Sequence, residues 1–209
     1  MFSLQTIFGK GDKFYGLLEA SAEAARLSAR ALGTMLDEGA ETPALDQFRV
    51  ARKREKDLFA QINLELVNTF VTALEREDIE ALAGALYKIP KTVEKFAERH
   101  ALFADQLVDI KYGAQAAMLE RACDVIVSMV GELRGGIKLD VMHSLNERMQ
   151  SIEAEADRLL LELYGNLFSD SADAAQLMVR KDLFELLEKA IDRCRDAGNV
   201  IYHIALKNS

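Results

Sequence analysis

The stretch Leu145-Asn-Glu-Arg-Met149-Gln-Ser-Ile152-Glu-Ala-Glu-Ala156-Asp-Arg-Leu159-Leu-Leu-Glu-Leu163-Tyr-Gly-Asn-Leu167 decides the fold. Its apolar residues return at three- and four-residue intervals through Leu145, Met149, Ile152, Ala156, Leu159, Leu163 and Leu167. That spacing draws one stripe along an α-helix, and it would be split between both faces of a strand. The spacing predicts a helix over about 139–168. A second such stripe, Leu183, Leu187, Ile191, Cys194, Gly198, Ile201 and Ala205, predicts a helix over about 172–206. A short polar turn at Ser169–Ser171 separates the two, so they should lie side by side.

Working towards the N-terminus, four more helices can be read. The first is expected over about 12–37 and closes at Gly39. Thr42 and Pro43 open the second as cap and first-turn residue, and it is expected to continue to about Glu75, roughly 50 Å at 1.5 Å per residue. The third covers about 77–99. Pro90 lies inside it and should kink or break it, because proline removes a backbone donor and crowds the preceding turn. The fourth covers about 101–134, ended by Gly135-Gly136. The expected architecture is all-α, a single domain over 1–209 with two pseudo-repeats at about 12–100 and 101–207.

Composition agrees with that class. Half of the 209 residues are apolar, only two are proline and none is tryptophan. The net charge of −8 argues against nucleic acid as a partner, since counterion release needs a basic surface. Cys123 and Cys194 are too few for a thiolate zinc site, and both fall on apolar stripes as small core residues. No run approaches the ~20 apolar residues that span a bilayer. Phe2, Leu4, Ile7 and Phe8 are expected to pack back on the domain rather than dock elsewhere.

The carboxylates carry the chemistry. Glu153 and Asp157 stand one turn apart on the fifth helix, and Glu188, Asp192 and Asp196 do so on the sixth. Asn146 and Gln150 extend the first row, and Asn199 and His203 the second. Two such rows brought together offer oxygen ligands to a divalent or trivalent ion, whether iron, zinc, manganese, nickel or magnesium. The plainer reading is a solvated face paired with Arg193 and Arg195, since Glu19/Glu23, Glu94/Glu98, Asp105/Asp109 and Glu120/Asp124 have the same spacing. The second helix has a related segment, Lys53-Arg-Glu55-Lys-Asp57, in which lysine stands for the leading acid. Lys88 stands where the third helix would match Asp192. Those ammonium groups would repel a cation, so they are expected to pair with Asp57 and Glu55 and tie the second helix to the third. Catalytic motifs are sparse. The histidines 100, 143 and 203 are scattered, and neither a phosphate loop nor a nucleophile–histidine pair is recognisable.

Along nearly its whole length the chain resembles the PhoU-like accessory proteins of Pit-type phosphate transporters. The resemblance is carried by Phe8-Gly-Lys-Gly-Asp-Lys-Phe-Tyr-Gly-Leu-Leu-Glu19, Thr69-Phe-Val-Thr-Ala-Leu-Glu-Arg-Glu-Asp-Ile79, Glu153-Ala-Glu-Ala-Asp-Arg158, Asp192-Arg-Cys-Arg-Asp-Ala-Gly-Asn199 and Leu206-Lys-Asn208. It implies two three-helix bundles side by side. It also implies a cytoplasmic, non-enzymatic regulator of phosphate uptake, peripheral at the inner membrane, which contacts a membrane phosphate transporter and can self-associate as a homo-oligomer. Family members bind metal through Glu/Asp-x-x-x-Asp repeats. Glu153, Asp157, Asp192 and Asp196 match that pattern, with Glu188 as a weaker member. In the first half the pattern is lost at Lys53 and at Tyr87-Lys88-Ile-Pro90-Lys91. The rival function is a metal-free helical interaction module with no phosphate role.

Overall fold

The computed structural model describes the backbone of residues 4–37, 45–104, 107, 110–169 and 173–209, and their side chains except for 4–12, 37, 168 and 169. Six α-helices account for nearly all of it: α1 Leu4–Asp37, α2 Leu45–Asn68, α3 Arg76–Leu102, α4 Gly113–Glu132, α5 Leu139–Ser169 and α6 Ala174–Lys207. The apolar spacing read from the sequence forms the core. Phe14, Leu18, Ala22, Ala25, Ala29 and Leu32 of α1 are buried, as are Met149, Ile152, Ala156 and Leu167 of α5. All seven stripe residues of α6 are buried too. Each large aliphatic side chain removed from water contributes about 1.5–3 kcal/mol, and this is what holds long helices together.

Packing is organised around two seams. α1 packs on α2 and α3, α4 packs on α5 and α6, and the halves meet through α1 against α4 and α3 against α6. The expected pair of three-helix bundles side by side is therefore present. Small residues on α1 let α4 approach closely, and ion pairs from Arg30 to Glu120 (2.9 Å) and from Arg134 to Glu19 (3.1 Å) flank that seam. Arg99 pairs with Asp182, and Lys207 pairs with Asp78 (2.8 Å). These two pairs set α3 and α6 antiparallel. The buried thiols of Cys123 and Cys194 lie 3.7 Å apart between α4 and α6, as free cysteines.

Three boundaries and one expected break differ from the sequence reading. α1 begins eight residues earlier than read, at Leu4. α2 ends at Asn68, so it is about 36 Å long, because Arg76 reaches back to the carbonyls of Leu66 and Thr69 and takes the hydrogen bonds a further turn would have made. Thr72 closes the following turn on the Leu74 carbonyl at 2.6 Å. α3 runs through Pro90 without a break. Pro90 is buried among Leu86, Ile89 and Val93, so core packing offsets the missing donor. α4 starts only at Gly113, because Leu107 and Tyr112 turn inward and bury themselves in the connection from α3. Gly39, Thr42 and Pro43 lie outside the described residues, as do the side chains of Phe2, Leu4, Ile7 and Phe8.

Candidate functional site

α5 and α6 pack along their length, which brings the two acidic rows to one groove. Glu153 and Asp157 each follow a buried residue, Ile152 and Ala156, and so stand at the edge of the apolar stripe. Asp192 follows buried Ile191 in the same way on α6. Glu188 is half-buried between the rows. Burial first, and then the nearby charges of Asp192, Asp157 and Glu153, push its carboxyl up to about 7, against a smaller opposing pull from Arg195. Only carboxylates that converge act on one another in this way. Asn146 is buried towards the core, whereas Gln150, Asn199 and His203 are exposed, so the wider ligand rows do not close on the groove.

The groove contains a cation of its own. The Arg195 guanidinium pairs with Glu153 across the helix interface, and reaches Asp192 at 3.3 Å and Asp196 at 3.5 Å on its own helix. Asp196 is also taken by Arg193 at 2.7 Å. Among the described residues no group of three or more His, Cys, Asp or Glu side chains is arranged to hold a metal ion. The donor set nevertheless fits a hard cation in its chemistry. Glu153, Asp157, Glu188 and Asp192 supply only oxygen, they outnumber the single arginine between them, and burial together with that surplus of negative charge raises the Glu188 carboxyl. A metal would have to displace Arg195 from Glu153 and Asp192.

The first half is arranged differently from expectation. Lys53, Lys88 and Asp57 are exposed, and among the described residues neither lysine has a carboxylate within ion-pair distance. The bridge from α2 to α3 is made by Arg52, which stacks on the Tyr87 ring at 3.9 Å from its centroid and lies 3.7 Å from Glu94. The reason is one of phase. The buried residues Phe48, Glu55 and Leu66 of α2 correspond to Met149, Ala156 and Leu167 of α5, one residue away from the register in which Lys53 stands for Glu153. In the observed phase Arg52 takes the place of Glu153. Each groove then has one bridge of opposite polarity, with arginine on α2 reaching glutamate on α3, and glutamate on α5 reaching arginine on α6.

That phase carries Glu55 into the core, fully buried. Neither of its carboxyl oxygens has a hydrogen-bond partner, and the buried Ser21 hydroxyl facing it makes no bond of normal geometry. Burial pushes this carboxyl up to about 8, against weaker pulls from Ser21, Arg52 and Arg54. Among the histidines, His100 is half-buried beside Phe96 and Tyr112, and burial lowers its pKa. His143 and His203 are exposed. No helix among the described residues is long and apolar enough to cross a membrane.

No family model matches the chain. It is 22% identical over 201 residues to a Rhizobium meliloti protein named "Putative pit accessory protein", covering 94% of each chain. It is 25% identical over 149 residues to the Bacillus subtilis "UPF0111 protein YkaA", covering 69% of this chain and 70% of that one. Among solved structures, a PhoU-like protein from Shewanella oneidensis superposes with a TM-score of 0.75 at 19% identity, covering 93% of this chain and 99% of the other. A second from the same organism, described as a "putative PhoU-like phosphate regulatory protein", gives 0.75 at 18% identity with the same coverage. The fold is PhoU-like, and the resemblance to PhoU-like Pit accessory proteins read from the residues is borne out.

Proposed function

We propose that this chain is a non-enzymatic, cytoplasmic regulator or accessory protein of inorganic phosphate transport, acting by contact with a membrane phosphate transporter. The observation that carries this reading is the match over 94% of both chains to the Rhizobium meliloti protein with the pit accessory name, on a PhoU-like fold. The chain is read as one domain of two repeated halves, about 12–100 and 101–207. The decisive experiment is co-purification from membranes with a phosphate permease, together with phosphate uptake in cells lacking the protein. Unchanged uptake and no associated permease would refute the transport role and leave a helical interaction module.

Within that role, Glu153, Asp157, Glu188 and Asp192 are the residues that would hold a divalent or trivalent ion, with Asp196 beside them on Arg193. Such an ion would supply positive charge that braces α5 against α6 and shapes the contact surface. This chain's own contribution is Arg195, which does the same in the ion's absence. Arg195→Gln is therefore expected to raise metal affinity, whereas Asp157→Asn and Asp192→Asn lower it at least about tenfold. Metal titration near pH 6.5 should release a proton from Glu188, and Glu188→Gln should abolish that release. Metal content that is the same in all these variants would remove the site.

A further inference from the structure

We propose that the turn between α2 and α3 is the point at which this chain docks on the membrane transporter, Phe70 entering an apolar notch framed by basic cytoplasmic loops of that protein. This inference rests on the transport reading and names the surface that makes the contact. Phe70 is 98% exposed, Val67 80%, Leu64 59% and Val71 52%. These four lie within residues 64–71, whereas the other exposed large apolar side chains are spread singly over α1, α2, α3, α5 and α6. Single exposed apolar residues are ordinary on a protein surface. A run of them that ends in an aromatic marks a contact surface.

The turn is fastened from both ends. Arg76 donates to the carbonyls of Leu66 and Thr69, the latter at 2.7 Å, and the Thr72 hydroxyl donates to the Leu74 carbonyl at 2.6 Å. Thr69 and Leu74 are buried on either side of Phe70 and Val71, which are left outside. A side chain presented on a fastened turn gives up little backbone freedom when it docks, so its burial goes into affinity.

The charges around the turn set the chemistry of the partner. From Glu65 to Glu80 the chain has five acids, Glu65, Glu75, Glu77, Asp78 and Glu80, and one base, Arg76. Arg76 is engaged by the turn carbonyls, Lys13 pairs with Glu65 at 2.6 Å, and Lys207 lies 3.0 Å from Glu75 and 2.8 Å from Asp78. Glu77 and Glu80 stay exposed one turn apart on α3, with no ion-pair partner among the described residues. Lys10 and Asp12 of α1, and Lys138 and Asp140 at the start of α5, add equal charges of each sign. The surplus beside the apolar turn is therefore negative. An anionic lipid leaflet would repel it, and the lysines at this end are already paired with acids. A second copy docked through the same patch would bring like charges together. The cytoplasmic loops of membrane proteins carry an excess of lysine and arginine, which is the complementary charge.

The test is binding of the full chain to a Pit-type phosphate permease from the same organism, held in nanodiscs of uncharged phosphatidylcholine. Phe70→Ser with Val71→Ser should weaken binding at least about tenfold. Phe70→Trp should keep it, and Leu161→Ser, an exposed apolar site on α5, should leave it unchanged. Glu77→Lys with Glu80→Lys should weaken binding at low salt, and should remove most of the loss that the native chain shows at about 0.5 M salt. All five positions are exposed, so the thermal midpoints of these variants should match that of the native chain. A lowered midpoint in the serine variant would show that the chain's own first residues cover Phe70, and overturns the proposal. Permease binding undiminished in the serine variant overturns it, as does binding indifferent to the charge reversals. Serine-sensitive binding to empty nanodiscs would assign the turn to lipid, and serine-sensitive dimerisation would assign it to a second copy; either overturns it too. A native chain that does not bind the permease at all overturns the transport reading together with this proposal, so the two failures are told apart.

Discussion

Glu55 shows how much one residue in α2 departs from the hydrophobic pattern around it. Its carboxyl is in the core with no hydrogen-bond partner and a pKa near 8. An acid whose folded pKa lies above its unfolded value holds a proton that the unfolded chain has already released. Stability therefore falls as pH rises from about 4.5 to about 8, and is flat outside that window. At one pKa unit per 1.36 kcal/mol the loss by pH 7 is up to about 3 kcal/mol. Glu55→Gln removes the titration. Urea unfolding at pH 5.5, 7 and 8.5 should show stability declining in the native chain and level in the variant, with a relative gain for the variant of up to about 3 kcal/mol between pH 5.5 and 8.5. Parallel profiles for the two proteins would show that Glu55 finds a partner or water on folding. The sequence gives no sign of this carboxyl's burial. Glu55 sits in a run of six charged residues, Arg52 to Asp57, which reads as solvated.

At the scale of the element, what could be read in advance depended on periodicity. α5 and α6 carry unbroken apolar stripes, and both were placed to within about two residues. α2 and α4 were overrun because their neighbours continue the apolar content without its helical geometry. Thr69, Leu74, Leu107 and Tyr112 are single buried side chains outside the helices. The α2 terminus depends on Arg76, ten residues beyond Leu66, and a contact of that range leaves no local signal. The candidate site divides in the same way. The convergence of Glu153, Asp157, Glu188 and Asp192 follows from stripe edges on adjacent helices, whereas Arg195 crossing to Glu153 requires the rotation of α6 about its axis. The α2–α3 bridge was assigned to lysine because the register was taken one residue out. A double-mutant cycle now separates the two assignments. Arg52→Ala and Glu94→Ala should couple by about 0.5–1 kcal/mol, as a partly buried pair, while Asp57 and Lys88 should show no coupling. The reverse outcome would restore the lysine bridge.

At the scale of the whole molecule, neither half buries its own apolar surface. Ile89, Val93 and Phe96 of α3 and Leu187, Ile191, Cys194 and Ile201 of α6 are all fully buried, and these two helices pack on each other along the seam. α1 depends in turn on α4, since Ala22, Ala25 and Ala29 bury too little area alone to hold a helix of that length. The two grooves of opposite polarity are thus carried on one shared core, and a change in the α5/α6 groove is transmitted to the α2/α3 face through the seam rather than through a linker. It follows that residues 1–104 and 110–209, made as separate chains, should each lack cooperative unfolding and bind a hydrophobic dye. Mixed together, they should regain native helicity and a single denaturation midpoint. Helical content and dye fluorescence of the fragments, alone and combined, test this directly. Two fragments that each unfold cooperatively when alone would mean that the seams join two independent bundles, and coupling between the grooves would lose its physical route.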